Sequence, residues 1–166
     1  MARSKMRGIL SSHRAWYALA LLMCVVPLAA AEFLQSYLDI GPCALCVIQR
    51  YAFVWLGLWA LFGVLLGRLP KWTDALAIIG GLGGAGVAVY QLWVLAHPKT
   101  ECVKDEVEQW INDLPTAQWF PSMFTASGNC NAKLPLIFGL QFPTWALIGL
   151  GGISILWLIF LLKRRR

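Results

Sequence analysis

Four long apolar stretches, joined by two short segments and one long one, dominate the pattern of the chain. They cover residues 15–34, 44–66, 72–95 and 145–162. Each is close to the length of about 20 residues that a helix needs to cross the hydrocarbon core of a bilayer. The pattern predicts an all-α membrane protein, a four-helix transmembrane bundle that forms a single integral membrane domain over residues 1–166.

The long segment between the third and fourth stretches, residues 96–144, holds most of the polar sequence. In it Val107, Trp110, Ile111 and Leu114 recur at helical spacing, opposite acidic residues. This spacing predicts a short amphipathic helix within a long loop. Two arrangements are open: the helix lies at the membrane interface, or it packs on a small core of the loop itself.

The basic residues predict the orientation in the membrane. Ten of the fourteen lysines and arginines lie before the first span, between the second and third, or after the fourth. Because Lys and Arg are enriched in cytoplasmic segments, both termini are expected in the cytoplasm and the loops 35–43 and 96–144 on the outer side. The net charge of +6 is therefore mainly a topology signal, and no nucleic-acid binding is expected.

The first apolar stretch also has a second interpretation. A basic start, an apolar run and three alanines before Glu32 resemble a secretory signal peptide with its cleavage site. Cleavage would leave three spans with the same outer loops. We favour a retained span because the apolar run continues through Phe33 and Leu34.

Four of the five cysteines form two pairs in or beside the outer loops. Cys43 and Cys46 form a C-x-x-C motif at the start of the second span, and Cys102 and Cys130 lie in the long loop. The outer side is where disulfides persist. A helix N-terminus favours a thiolate, the nucleophile in disulfide exchange. The pairs predict a relay between a soluble protein and a molecule dissolved in the bilayer, while Cys24 is interpreted as a packing residue.

Arg50 follows Cys46 by four positions and Cys43 by seven, which predicts that all three lie on one helix face. An arginine inside an apolar span is costly and indicates a function. We expect it to stabilise a thiolate, the developing negative charge on a quinone, or both. Gln49 offers hydrogen bonds on an adjacent face, and His97 is either structural or a proton relay.

Simpler interpretations of the cysteines are also open. Cys43 and Cys46 can form a structural disulfide or half of a zinc site, although bonds in so short a loop are usually reducible. No metal is expected, because the second pair lacks C-x-x-C spacing and the two histidines are badly placed. Cys102 and Cys130 can form a purely structural disulfide. The glycine-rich run at 80–86 is interpreted as a helix contact and not as a dinucleotide site, since no strand precedes it.

At these residues the chain resembles the DsbB family of inner-membrane thiol oxidases. The residues that carry the resemblance extend over nearly the whole chain: Arg14-Ala15-Trp16, Pro42-Cys43-Ala44-Leu45-Cys46 with Arg50, Leu114-Pro115, Trp119 with Pro121 and Phe124, Ala126-Ser127-Gly128-Asn129-Cys130, and Pro143 with Trp145. The resemblance implies a quinone-dependent enzyme of the bacterial inner membrane with both cysteine pairs on the periplasmic side. Such an enzyme reoxidises a periplasmic DsbA-like protein of thioredoxin fold and passes the electrons to the membrane quinone pool, as ubiquinone or menaquinone.

The resemblance also implies a role for each site residue. The catalytic residues are Cys43, Cys46, Cys102 and Cys130, and the cofactor-binding residues are Arg50 and Cys46. Cys43 and Cys46 form the quinone-facing pair, while Cys102 forms the mixed disulfide with the soluble partner. Two further hypotheses are open: a specialised paralogue that serves one dedicated thiol partner, and a disulfide-stapled membrane scaffold without turnover.

Overall fold

The computed structural model describes residues 13–67, 69–97, 100, 105–130 and 136–163. Cys102 and most of the basic residues on which the predicted orientation rests lie outside these ranges. The helices, in chain order, are α1 (His13–Leu38), α2 (Ala44–Leu66), α3 (Lys71–Ala96), α4 (Asp105–Asn112), α5 (Pro115–Trp119), α6 (Pro121–Phe124) and α7 (Phe142–Lys163). In the part of the chain just defined, the backbone forms no β-strand and only two isolated bridges.

Four of these helices, α1, α2, α3 and α7, are long and apolar enough to cross a membrane. Helix α2 packs against both α1 and α3, and α7 packs along α3 and closes the bundle against α1. Large apolar side chains from all these helices fill the centre, among them Tyr17, Leu56, Leu150, Ile153 and Trp157. The arrangement confirms the predicted all-α membrane bundle.

Two glycines of the run at 80–86 allow α3 to approach its neighbours closely. A Cβ at Gly81 would collide with Ser154 Oγ, and one at Gly84 would collide with the Cβ of Ala52. Gly83 and Gly86 instead face open space. With Gly80, which lies against Trp55 of α2, three of the five glycines in the run serve helix packing, as small residues often do in membrane bundles.

A buried carboxylate joins three helices at the end of the bundle remote from the C-x-x-C motif. Asp74 Oδ1 accepts hydrogen bonds from the Tyr17 hydroxyl at 3.0 Å and from Trp157 Nε1 at 3.1 Å. Because a buried polar group is costly unless it is hydrogen-bonded, these contacts fix α1, α3 and α7 in register. Cys24, a free cysteine, is buried in the α1–α2 contact beside Gly57.

Helix α1 continues to Leu38, beyond the apolar stretch that ends at residue 34. Polar residues are compatible with the end of a spanning helix, because the helix can extend past the hydrocarbon region. As a result Glu32 and Gln35 project from an ordered helix beside the start of α2. This position brings both side chains to Arg50.

Candidate thiol–disulfide site

Cys43 and Cys46 are joined by a disulfide at the start of α2. Cys43 is the N-cap residue of the helix, and its sulfur accepts a hydrogen bond from the backbone N–H of Cys46 at 3.2 Å. Pro42 precedes this cap. The pair thus lies where unpaired N–H groups and the helix dipole favour negative charge on sulfur.

The segment that carries Cys130 docks directly on this helix start. The backbone N–H groups of Ser127 and Gly128 both donate to the Pro42 carbonyl at 3.0 Å, and Cys43 and Gly128 form an isolated parallel bridge. Cys130 is 7% exposed and belongs to the same buried cluster as Cys43. The structure records Cys130 as disulfide-bonded. Docking therefore brings a cysteine of the long loop to the first cysteine pair.

An apolar cluster beneath the loop holds it in place. Val47 of α2 packs with Ile111, Ala117 and Phe124 of the three short helices. The ring of Tyr51 stacks on Phe124, with centroids 4.7 Å apart. This core is shared with α2 and does not belong to the loop alone. The predicted amphipathic helix, α4, buries Ile111 in it and leaves Trp110 64% exposed.

Asn112 adds a polar link between α4 and the docked segment. Its side-chain amide donates to the Ala126 carbonyl at 2.9 Å, and its Oδ1 accepts from the Ala126 N–H at 2.7 Å. The two hydrogen bonds satisfy a buried stretch of backbone just before the Ser127–Gly128 contact. The end of α4 therefore fixes the position from which the chain runs to Cys130.

Arg50 of α2 is buried against α1 and α6. Its guanidinium donates to the Met123 carbonyl and to Gln35 Oε1, both at 2.7 Å, and lies 3.7 Å from Glu32 Oε2. Gln35 in turn donates to the Ser122 carbonyl at 2.6 Å. Arg50 and Gln35 thus fasten the α6 backbone to α1 and α2.

The sulfurs and the guanidinium have different neighbours, although the sequence predicts them on one helix face. Among the described atoms no hydrogen bond joins Arg50 to either sulfur, and the side chain that reaches both is Gln91 of α3, at 3.2 Å from each. Gln49, whose hydrogen bonding was expected, donates to Gln91 Oε1 at 2.6 Å. The sequence pattern did not identify Gln91 as a site residue. The available signal was an amide side chain inside an apolar span, which is rare without a partner.

His97 ends α3 and lies apart from this arrangement. Its Nδ1 is 2.9 Å from the Trp93 carbonyl, and its exposed ring packs on the Trp93 ring. In this contact the imidazole acts as a local helix cap.

Replacing Arg50 by lysine is expected to loosen α6. A single ammonium cannot reproduce the forked contact with Met123 and Gln35, so the α6 backbone loses an anchor. We expect amide hydrogen exchange over residues 121–126 to become about tenfold faster, because the segment loses the equivalent of roughly one hydrogen bond to a charged group. Hydrogen exchange with mass spectrometry measures it, with the exposed Arg14→Lys as the matched control. Unchanged exchange in Arg50→Lys would show that Arg50 does not anchor the loop.

The helical bundle, the disulfide at its mouth and the docked cysteine beside it define a membrane protein with a cysteine site at the start of a spanning helix. A family model described as "Disulfide bond formation protein DsbB" matches residues 13–160. A protein named Disulfide bond formation protein B from Ralstonia nicotianae is 35% identical over 156 residues, which cover 94% of this chain and 98% of that protein. The protein of the same name from Cupriavidus metallidurans is 33% identical over 156 residues, covering 94% and 97%. That from Burkholderia ambifaria is 37% identical over 146 residues, covering 87% and 86%.

The chain belongs to the DsbB family. It is therefore a multi-pass protein of the bacterial inner membrane and a disulfide-forming oxidoreductase. This membership confirms the family resemblance that the sequence motifs indicate.

Proposed function

We propose that this protein is a quinone-dependent thiol oxidase that reoxidises a periplasmic DsbA-like dithiol protein. The electrons pass to a membrane quinone, either ubiquinone or menaquinone. The observation that carries the proposal is the buried cluster of Cys43 and Cys130 at the mouth of a membrane helix. A soluble thiol protein can approach this place from one side and a lipid-soluble oxidant from the other. Family membership supports the same activity.

In the first half of the reaction, a thiolate of the reduced partner attacks the proposed Cys102–Cys130 disulfide. Cys102 forms the mixed disulfide and Cys130 leaves as a thiolate. The second thiol of the partner then attacks the mixed disulfide, so the partner leaves oxidised and the loop pair holds two electrons. Each attack exchanges one sulfur–sulfur bond for another, with a thiolate as nucleophile and leaving group.

In the second half, a thiolate of the loop pair attacks the Cys43–Cys46 disulfide. The loop disulfide closes again, and Cys43 and Cys46 become the reduced pair. Direct exchange between the two pairs is supported by the docking of Gly128 on Pro42, which keeps Cys130 in the buried cluster of Cys43. Cys46 is the proposed electron donor to the quinone.

The surroundings of Arg50 fit a quinone. A guanidinium carries five N–H donors, and Arg50 uses two of them in the hydrogen bonds described above, so donors remain for a carbonyl oxygen. A bound quinone supplies a two-electron acceptor of high potential. This is needed because a DsbA-type protein is itself strongly oxidising, at about −120 mV, and electrons leave it only toward a higher potential. Arg50 and Cys46 are the proposed cofactor-binding residues.

The proposal is tested by mixing the purified, detergent-solubilised protein with quinone and a reduced DsbA-type protein while following quinone absorbance. We expect many quinones to be reduced per protein, and only when both reactants are present. Several thioredoxin-fold dithiol proteins and both quinone classes are tried. If the folded protein reduces no quinone with any of them, the disulfide-stapled scaffold is the better account.

The proposed orientation has both termini in the cytoplasm and both cysteine pairs on the periplasmic side. After reduction, Cys130 should react with a membrane-impermeant maleimide in right-side-out vesicles and be protected in inside-out vesicles. A Lys163→Cys variant in a background without the other cysteines should show the opposite preference. Labelling of both positions from the same side would contradict the orientation. Protein solubilised in detergent before labelling controls for intrinsic reactivity.

A further inference from the structure

Two buried glutamines form a hydrogen-bonded chain that ends at the disulfide. Gln49 of α2 is 5% exposed and Gln91 of α3 is 4% exposed. Gln49 Nε2 donates to Gln91 Oε1 at 2.6 Å, and Gln91 Nε2 donates to the sulfurs of Cys43 and Cys46 at 3.2 Å each. Neither glutamine is among the catalytic or cofactor-binding residues predicted from the sequence.

The donors and acceptors of these hydrogen bonds run in one direction, from Gln49 to the sulfurs. Because Gln49 donates to the carbonyl oxygen of Gln91, the Gln91 amide presents its NH₂ group to the sulfurs. That group has two N–H donors, one for each sulfur. Gln49 thereby decides which end of the Gln91 amide faces the cysteines.

We propose that Gln91 is a catalytic residue that stabilises the thiolate released when the Cys43–Cys46 disulfide opens, and that Gln49 is the positioning residue that aims it. The inference rests on the first cysteine pair being redox-active, as in the proposed function. It requires no particular quinone and no particular partner.

The physical reason is the difference between the two oxidation states of sulfur. A sulfur in a disulfide is a weak hydrogen-bond acceptor, whereas a thiolate carries a full charge and accepts strongly. In a buried site of low dielectric constant, a donor to the charged form gains further strength. Gln91 therefore stabilises the reduced pair more than the oxidised pair.

Gln91 can act whichever sulfur of the Cys43–Cys46 disulfide is attacked. When a thiolate of the loop pair attacks one sulfur of the Cys43–Cys46 bond, the bonding electron pair leaves on the other sulfur. Gln91 Nε2 is equally close to both sulfurs, so it meets the leaving thiolate whichever sulfur is attacked. An amide does not titrate, so Gln91 acts as a fixed donor and takes up no proton.

Arg50 does not replace Gln91 in this role. Its guanidinium is engaged with Met123, Gln35 and Glu32, and among the described atoms no hydrogen bond joins it to either sulfur. The Cys46 backbone N–H is a second donor to the pair and reaches Cys43 Sγ alone. Among the described side chains, the Gln91 amide is the donor that contacts both sulfurs.

The experiment measures the reduced cysteine pair in protein free of quinone and partner. The rate of alkylation by iodoacetamide is followed as a function of pH in wild type, Gln91→Met and Gln49→Met. We expect Gln91→Met to lower the alkylation rate at neutral pH about tenfold, the loss of one hydrogen bond to a charged group, and to move the half-maximal rate to higher pH. Gln49→Met should change the rate in the same direction by about threefold, since the amide is retained but no longer aimed.

A second readout is the equilibrium of the pair with dithiothreitol. Loss of the donor should disfavour the reduced form, so the equilibrium constant for reduction is expected to fall about tenfold in Gln91→Met, equivalent to about 30 mV for two electrons. The exposed Gln118→Met is the matched control and should change neither readout. Circular dichroism and gel filtration check folding. If Gln91→Met does not fold, Gln91→Asn, which keeps the amide but is one methylene too short to reach both sulfurs, should lower the alkylation rate in the same direction.

The outcomes separate this inference from the proposed function. An unchanged alkylation profile and an unchanged equilibrium constant in folded Gln91→Met would overturn the role of Gln91, even if wild type turns over quinone. A shifted profile in a protein that reduces no quinone would uphold the role of Gln91 and overturn the proposed oxidase. Equal shifts in Gln91→Met and Gln118→Met would also overturn the role of Gln91, because the effect would then not depend on the contact with sulfur.

Discussion

Replacing Cys43 by alanine is expected to abolish oxidase turnover, by at least about a thousandfold, because a nucleophile and its disulfide partner act as a unit. The variant has no disulfide at the start of α2, so electrons that arrive at the loop pair have no acceptor. Cys46 remains as a single thiol, which cannot store two electrons by itself. The N-cap position also loses the sulfur that accepts the Cys46 N–H.

The measurement is quinone absorbance during turnover, together with the amount of partner oxidised. Cys43→Ala is expected to oxidise about one partner dithiol per protein through the loop disulfide and then stop. Cys24→Ala makes the same chemical change at a buried free cysteine and should keep wild-type turnover. Continued quinone reduction by Cys43→Ala would place the catalytic disulfide elsewhere. Loss of turnover in Cys24→Ala as well would point to damage of the bundle.

Replacing Gly128 by alanine is expected to slow electron transfer between the two cysteine pairs about a hundredfold, the scale set by misplacing a reacting group by about 1 Å. A Cβ at Gly128 would collide with the carbonyl oxygen and carbon of Gly41. Both are backbone atoms, so no side chain can rotate to make room. The loop must move away from Pro42, and Cys130 moves with it from Cys43.

Rapid mixing of the oxidised protein with reduced partner separates the two halves of the reaction. Partner oxidation should keep its rate in Gly128→Ala, while the later reduction of the Cys43–Cys46 pair becomes slow. Gly41→Ala should have a smaller effect, because its Cβ meets the Ser127 side chain, which can rotate. Gly86→Ala, where the added carbon faces open space, is the matched control. Wild-type rates in Gly128→Ala would show that transfer does not depend on this contact.

Several features of this protein were predictable because they are local in sequence. The four spans follow from uninterrupted runs of apolar residues, whose length a bilayer dictates. The C-x-x-C motif at the start of a helix follows from the position of Pro42, Cys43 and Cys46 alone. The helix ends do not follow from the local sequence, since polar residues such as Gln35 are compatible both with a helix that leaves the membrane and with a loop.

The family resemblance added expected roles for the cysteines and for Arg50, but it did not add their contacts. The prediction that Arg50 lies on the same helix face as the sulfurs describes spacing and does not identify neighbours. Its partners come from α1 and α6, which lie 15 and 73 positions away in sequence. Which of the expected roles Arg50 serves therefore depends on packing that no local pattern encodes.

The class of fold, the helix start that bears the first cysteine pair and the presence of a second pair in a long polar loop are all encoded locally in the sequence. These follow from hydrophobicity and residue spacing, which act over one or two helical turns. The docking of Gly128 on Pro42, the joining of three helices by Asp74 and the contact of Gln91 with both sulfurs emerge only from the folded chain. Each of these contacts joins separate elements, and the approach of those elements is set by the shapes of whole helices. Small residues such as Gly84, and backbone groups that must find partners, select that packing.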